Sequence, residues 1–196
     1  MFSMWPLTQD PLQDDIENYA WVKDAFTDEE IQKIIDIGLA EQVKKAEVSN
    51  EQTLDENIRK AEVSWITPSE ETEWLFRKLT DCITHANDKF FNFHLMGMFE
   101  GLQFTIYGGG GAKYEPHLDK VYTKTARKLS LVLQLSDAKD YEGGELKLHT
   151  GHDPITIEKE KGLLCCFPSY ILHGVTPVTA GTRYSLVVWV HGPAFR

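Results

Sequence analysis

Cysteine is scarce in this 196-residue chain: there are three, Cys82, Cys165 and Cys166, two of them adjacent. Neighbouring residues on a strand point to opposite faces, so Cys165 and Cys166 are poorly placed to pair with each other. The absence of any C-x-x-C excludes a zinc knuckle and a thioredoxin-type redox site. All three read as small buried hydrophobes of a reducing compartment. Long apolar runs are missing too. None approaches the ~20 residues needed to span a bilayer, and residues 1–6 lack the basic n-region of a secretory signal. Basic side chains are in the minority, 20 Lys and Arg against 30 Asp and Glu, for a net charge of −10. Duplex binding relies on Lys and Arg neutralising phosphates, so neither a nucleic-acid nor a membrane partner is expected. These absences predict a soluble, cytoplasmic protein and leave its oligomeric state open.

What is present is ordinary globular composition, 42% hydrophobic and 26% charged. A chain of this length buries roughly 70% of its unfolded surface, enough for one domain without metal or disulfide staples. The pattern changes near residue 95. Before it, Thr27-Asp28-Glu29-Glu30 reads as a capping box opening a helix with Ile31, Ile34, Ile35 and Leu39 at helical spacing. Residues 44–60 are polar and read as an exposed loop or weak helix, and residues 61–66 alternate like a strand. Thr67-Pro68-Ser69 signals a second helix start, followed by Trp74, Leu75, Leu79, Cys82 and Ile83 on one side. After Met98 short strands dominate, at residues 102–107, 129–135, 145–149, 154–158, 163–167 and 184–190. This order predicts an α+β fold: residues 1–95 a helical support region, residues 96–196 a jelly-roll core of the same domain, with the helices packed on one face.

Seven histidines are available, and two sit in informative contexts. His117-Leu118-Asp119 lies at a strand end, where residues i and i+2 share a face and can converge. His173 follows a strand 56 residues downstream. Two histidines and a carboxylate make the facial triad of non-haem Fe(II) oxygenases, with positions left open for substrate and oxygen. Arg183 and Ser185 share a face of the next expected strand and suit a carboxylate. The apolar run 186–190 argues that this strand is buried, where an unpaired Arg is costly.

With these residues in order, the chain resembles the 2-oxoglutarate- and Fe(II)-dependent oxygenases, in their prolyl 4-hydroxylase-like branch, and is similar to PKHD-type hydroxylases. The motifs are His117-x-Asp119, Gly143-Gly144-Glu145-Leu146, Phe167-Pro168-Ser169 before His173, Arg183, and Trp189. The resemblance covers roughly residues 60–196 and implies a double-stranded β-helix, the jelly roll of this family. It implies Fe(II) on His117, Asp119 and His173, and 2-oxoglutarate held by Arg183, with Tyr107, Ser185 and Trp189 lining its site. Oxygen would be the second co-substrate and ascorbate the reductant. The implied reaction converts 2-oxoglutarate to succinate and CO2 while a prolyl residue of a protein or peptide is hydroxylated. Arg183 stands where collagen-type enzymes have Lys and PKHD-type ones have Arg, and Leu146 where Thr often follows Gly-Gly-Glu.

Other readings of the same residues are the same chemistry on another amino acid or small molecule, a zinc hydrolase, or a non-catalytic cupin-like module. Gly108 to Gly111 reads as a hairpin near the site, because no Gly-Lys-Ser/Thr follows it. His149 and His152 read as solvated turn residues, residues 120–128 as a substrate lid, and Trp5, Pro6, Trp21 and Phe26 as core.

Overall fold

The computed structural model describes residues 16–46, 57–119 and 126–194. The expected lid at 120–128 lies outside them as far as residue 125, as do Trp5 and Pro6. The chain runs β1 (Ala20–Val22), α1 (Asp28–Ala40), β2 (Lys44–Lys45), β3 (Arg59–Lys60), β4 (Glu62–Ile66) and α2 (Glu73–Ala86). A π-helical turn at Asn87–Phe91 follows, and then β5 (Leu102–Gly108), β6 (Ala112–His117) and β7 (Ala126–Gln134). The last strands are β8 (Tyr141–Gly143), β9 (Leu146–His149), β10 (Ile155–Thr156), β11 (Leu164–Pro168) and β12 (Leu172–Gly192).

The α1 start forms as its sequence requires. The Glu30 N–H donates to Thr27 Oγ1 at 3.3 Å and the Thr27 N–H donates to Glu30 Oε2 at 2.8 Å, satisfying two donors reciprocally. The α2 start differs from expectation. Thr72 Oγ1 accepts from the Ser69 N–H and donates to the Thr67 carbonyl, so residues 67–72 close a turn of their own and the helix begins at Glu73. Residues 44–60 are also not helical where described: β2 and β3 are short edge strands.

Two antiparallel sheets share β12. Its C-terminal half lies in the larger sheet, ordered β1-β11-β7-β12-β5-β4-β2. Its N-terminal half pairs with β6, β8 and β9 in the smaller one. The two expected sites at His173 and Arg183 thus ride on one 21-residue strand, not on two. Strand parity then sorts the side chains. Leu129, Leu131 and Leu133 of β7, Leu186, Val188 and Val190 of β12, and Leu102 and Phe104 of β5 face the core that α1 and α2 cover with Ile31, Ile34, Leu75, Leu79 and Ile83. Their alternates on the same three strands, among them Val132, Arg183, Ser185, Trp189, Gln103 and Tyr107, line the space between the sheets. Cys165 and Cys166 split likewise, one into each core cluster. Burial pushes the Cys165 thiol up to about 12, as befits an inert packing residue. Phe26 is core, whereas Trp21 is 49% exposed, on the edge strand β1. The result is a double-stranded β-helix, or jelly roll, with two helices on the larger sheet.

Candidate active site

A cavity of about 700 Å³ opens between the sheets, and His117, Asp119, His173, Arg183, Tyr107, Ser185 and Trp189 all line it. His117 ends β6 directly opposite His173 on β12, so the imidazoles meet across a strand pair with centroids 4.3 Å apart. Asp119 lies two residues past the end of β6. Its Oδ1 is 3.6 Å from His117 Nε2 and its Oδ2 is 3.3 Å from His173 Nε2. One ligand atom from each residue lies within 4.8 Å of the others, the spacing of a three-coordinate metal site. No second such cluster of His, Cys, Asp or Glu occurs among the described residues.

The backbone settles the tautomers. His117 Nδ1 is 2.9 Å from the Glu115 carbonyl and His173 Nδ1 is 3.0 Å from the Ile171 carbonyl. A carbonyl only accepts, so both Nδ1 atoms carry hydrogen and both Nε2 lone pairs face Asp119 and the space a metal would take. The Tyr114 ring stacks on His117 at 3.5 Å, and Phe167 packs against His173 at 4.7 Å. Electrostatics agree with a cation site. Burial pushes the Asp119 carboxyl up, but His173 and His117 outweigh it and hold the group well below its ordinary value. Burial likewise lowers His117, whereas the Asp119 charge overcomes burial at His173 and raises it.

Ser130, Arg127 and Glu100 were not singled out from sequence, and Ser169 only as part of the Phe167-Pro168-Ser169 motif. Ser130 Oγ donates to Asp119 Oδ2 at 2.7 Å and lies 2.9 Å from Ser169 Oγ; both serines are fully buried. Arg127 donates from two nitrogens to the Glu100 carboxylate, lies 4.0 Å from Asp119 Oδ1 and stacks 3.8 Å from the Trp189 ring. The available signal was parity: Ser130 interrupts the apolar run 129–133 at an inward position.

Beyond the triad, Arg183 is 2% exposed, donates from Nη1 to Ser185 Oγ at 3.3 Å, and keeps a buried Nε with no acceptor among the described residues. Buried donors without acceptors are rare, and a guanidinium in this state fits a carboxylate ligand. Tyr107 is the register partner of Arg183, with the guanidinium 5.3 Å from its ring centroid. Residues 102–191, which hold all seven of these residues, match the family model described as the 2OG-Fe(II) oxygenase superfamily. Over those residues the chain is similar to that superfamily.

Individual relatives sharpen the comparison. The chain is 43% identical over 81 residues to a PKHD-type hydroxylase of Prochlorococcus marinus (strain SARG), covering 41% of this chain and 37% of that protein. It is 31% identical over 146 residues to a PKHD-type hydroxylase of Prochlorococcus marinus (strain MIT 9313), covering 74% of this chain and 60% of the relative. The chain thus spans between about a third and three fifths of the curated relatives it matches. Among solved structures, it shares the fold of a Trichoplax adhaerens prolyl hydroxylase in complex with a hypoxia inducible factor oxygen degradation domain peptide fragment. There the TM-score is 0.75 at 19% identity, over 88% of this chain and 83% of that one. Within the cavity Leu146 adds an apolar wall.

Proposed function

We propose that the chain is an Fe(II)- and 2-oxoglutarate-dependent dioxygenase that hydroxylates a prolyl residue of a protein or peptide. The observation that carries this reading is the shared cavity. The His117, Asp119 and His173 triad and the buried donor Arg183 line one space large enough for a co-substrate and part of a second substrate. Two neutral imidazoles and a carboxylate suit Fe(II) and leave positions open for two more ligands. Bound Fe(II) would supply oxygen activation coupled to decarboxylation of 2-oxoglutarate to succinate. The chain's own residues orient the reactants. Arg183 with Ser185 anchors the far carboxylate of the co-substrate, and Tyr107 flanks it. The His117 and His173 lone pairs, fixed by their Nδ1 hydrogen bonds, hold the metal on the strand pair. Trp189, Trp65 and Tyr114 give the cavity an aromatic wall suited to an apolar pyrrolidine ring. The PKHD-type relatives and the prolyl hydroxylase fold support a peptidyl substrate. Ascorbate serves as reductant in this reading, and residues 1–95 act as support for the catalytic core at 96–196. A zinc hydrolase would leave the buried Arg183 without a role.

The test is 2-oxoglutarate turnover to succinate by anaerobically reconstituted protein with Fe(II), ascorbate, oxygen and a panel of proline-containing peptides. Peptide-stimulated succinate and a +16 Da product, abolished in His173→Ala and weakened at least tenfold in kcat/KM for 2-oxoglutarate in Arg183→Ala, are expected, since a charged hydrogen bond contributes about 1.5–3 kcal/mol. Turnover that no peptide stimulates would discard the peptidyl substrate. Turnover retained in His173→Ala would discard the metal site.

A further inference from the structure

The cavity is not walled evenly. Just after α1, and along β2 and β3, it is lined by Glu41, Gln42, Lys44, Lys45 and Arg59, three cations against one anion in a chain whose net charge is −10. All five lie outside residues 102–191, so none belongs to the stretch that holds the triad and Arg183. β2 pairs β4 with Lys44 opposite Val63, and Val63 and Trp65 of β4 line the cavity, so parity turns Lys44 toward the same space. Lys45, one residue on, stands opposite Glu62, which offsets its charge.

Arg59 reaches deeper. It is 7% exposed, stands opposite Tyr114 on β6, and lays its guanidinium 4.4 Å from the Tyr114 ring centroid. That ring stacks on the His117 imidazole at 3.5 Å, so Arg59 holds a permanent charge one aromatic ring away from the triad. The other charges of the cavity are engaged elsewhere. Glu100 is held by Arg127 and His191, and Asp119 by Ser130 and the two histidines. Arg183 is assigned to the co-substrate in the reading above. Glu41 offsets at most one of the remaining cations, and the wall stays cationic. The negative total of the chain does not undo this at contact range, because exposed charges farther off than ~8 Å are screened at physiological salt.

We propose that the substrate peptide is acidic, with an Asp or Glu near the hydroxylated residue whose carboxylate meets the wall of Lys44 and Arg59. This rests on the peptidyl reading above and adds to it the charge of the substrate. A carboxylate is what such a wall recognises: Arg59 supplies a planar fork of donors and Lys44 a point charge on a flexible stem. A lysine or arginine of the peptide meets like charge there and is rejected.

The test is binding, measured by calorimetry on the full chain with Mn(II) and 2-oxoglutarate under anaerobic conditions. The probes are end-capped peptides of Gly and Ala with a central Pro or Ala, flanked two residues away on both sides by Asp, Asn or Lys. Asp peptides are expected to bind about tenfold or more tightly than Asn ones, the worth of one hydrogen bond to a charged group, and Lys peptides more weakly than either. Lys44 is exposed, so Lys44→Glu is expected to keep the fold and to shrink the Asp-over-Lys ratio about tenfold or more. Equal affinity for Asp and Lys peptides overturns the inference, as does an Asp preference that Lys44→Glu leaves intact. An Asp preference shown equally by the Pro and Ala peptides supports the acidic substrate and overturns the prolyl reading. A Pro preference without any charge preference does the reverse, and failure of every peptide to bind overturns both.

Discussion

Asp119 shows how much a single side chain depends on groups remote in sequence. It is 5% exposed, and a carboxylate this deep is costly unless its oxygens are engaged. One oxygen takes a hydrogen bond from Ser130, which is in turn within hydrogen-bond distance of Ser169. That leaves the other facing His117 Nε2, as a monodentate metal ligand requires. Partners behind a metal ligand typically contribute about 10- to 100-fold in metal affinity. Ser130→Ala is therefore expected to weaken Mn(II) binding about tenfold or more, with the far-ultraviolet circular dichroism of the wild type. Isothermal titration checks this, and an unchanged Kd would show the Ser130 hydroxyl to be packing only.

At the scale of elements, β12 is the part that joins fold to chemistry. It begins in the smaller sheet with His173 opposite His117 and ends in the larger sheet with Arg183 opposite Tyr107. Between them it must turn, and Gly181 makes the turn at φ +72°, where a Cβ would lie 2.0 Å from the Asp140 carbonyl oxygen. Positive φ and that contact both penalise any other residue. Gly181→Ala is expected to destabilise the protein by at least ~2 kcal/mol in urea unfolding. Because the corner sets the angle between the two sites, 2-oxoglutarate affinity should fall more than metal affinity. Equal stability of variant and wild type would mean the corner relaxes by another route. Expectation and structure differ here for a physical reason. Period-two alternation in residues 184–190 marks a strand, but residues 172–181 are irregular, with register shifts near Val175 and Val178, and carry no clean alternation.

For the whole molecule, the metal site is also a staple across the β6–β12 strand pair of the smaller sheet. Asp119 follows β6 and His173 sits on β12, and an ion that binds both favours the folded chain alone. At a hundredfold excess over Kd a divalent ion adds about 2.7 kcal/mol. For a chain of this size that is roughly 5–10 °C in Tm. Differential scanning fluorimetry with Mn(II) or Zn(II) should show such a rise in wild type and little in His173→Ala. An equal rise in both would place the stabilising ion elsewhere. No helix among the described residues is long and apolar enough to cross a membrane.

The amino-acid sequence by itself determined whatever depends on neighbours along the chain. The capping box at Thr27, the inward parity of Arg183 and Ser185, and the opposite faces of Cys165 and Cys166 are local consequences of 3.6- and 2-residue periods. His117-x-Asp119 was legible for the same reason, His173 and Arg183 were legible from their strand context, and the resemblance to a family supplied the roles of all four. Tertiary structure alone decided which side chains from distant strands share a space. Ser130 and Ser169, Arg127 and Glu100, and Gln134 and Tyr141 meet only because β7, β11 and β12 lie side by side in one sheet, with β8 on the other half of β12. A buried hydroxyl or amide among apolar residues shows that a partner is needed. The partner's identity is set by strand order and register, which no local pattern encodes.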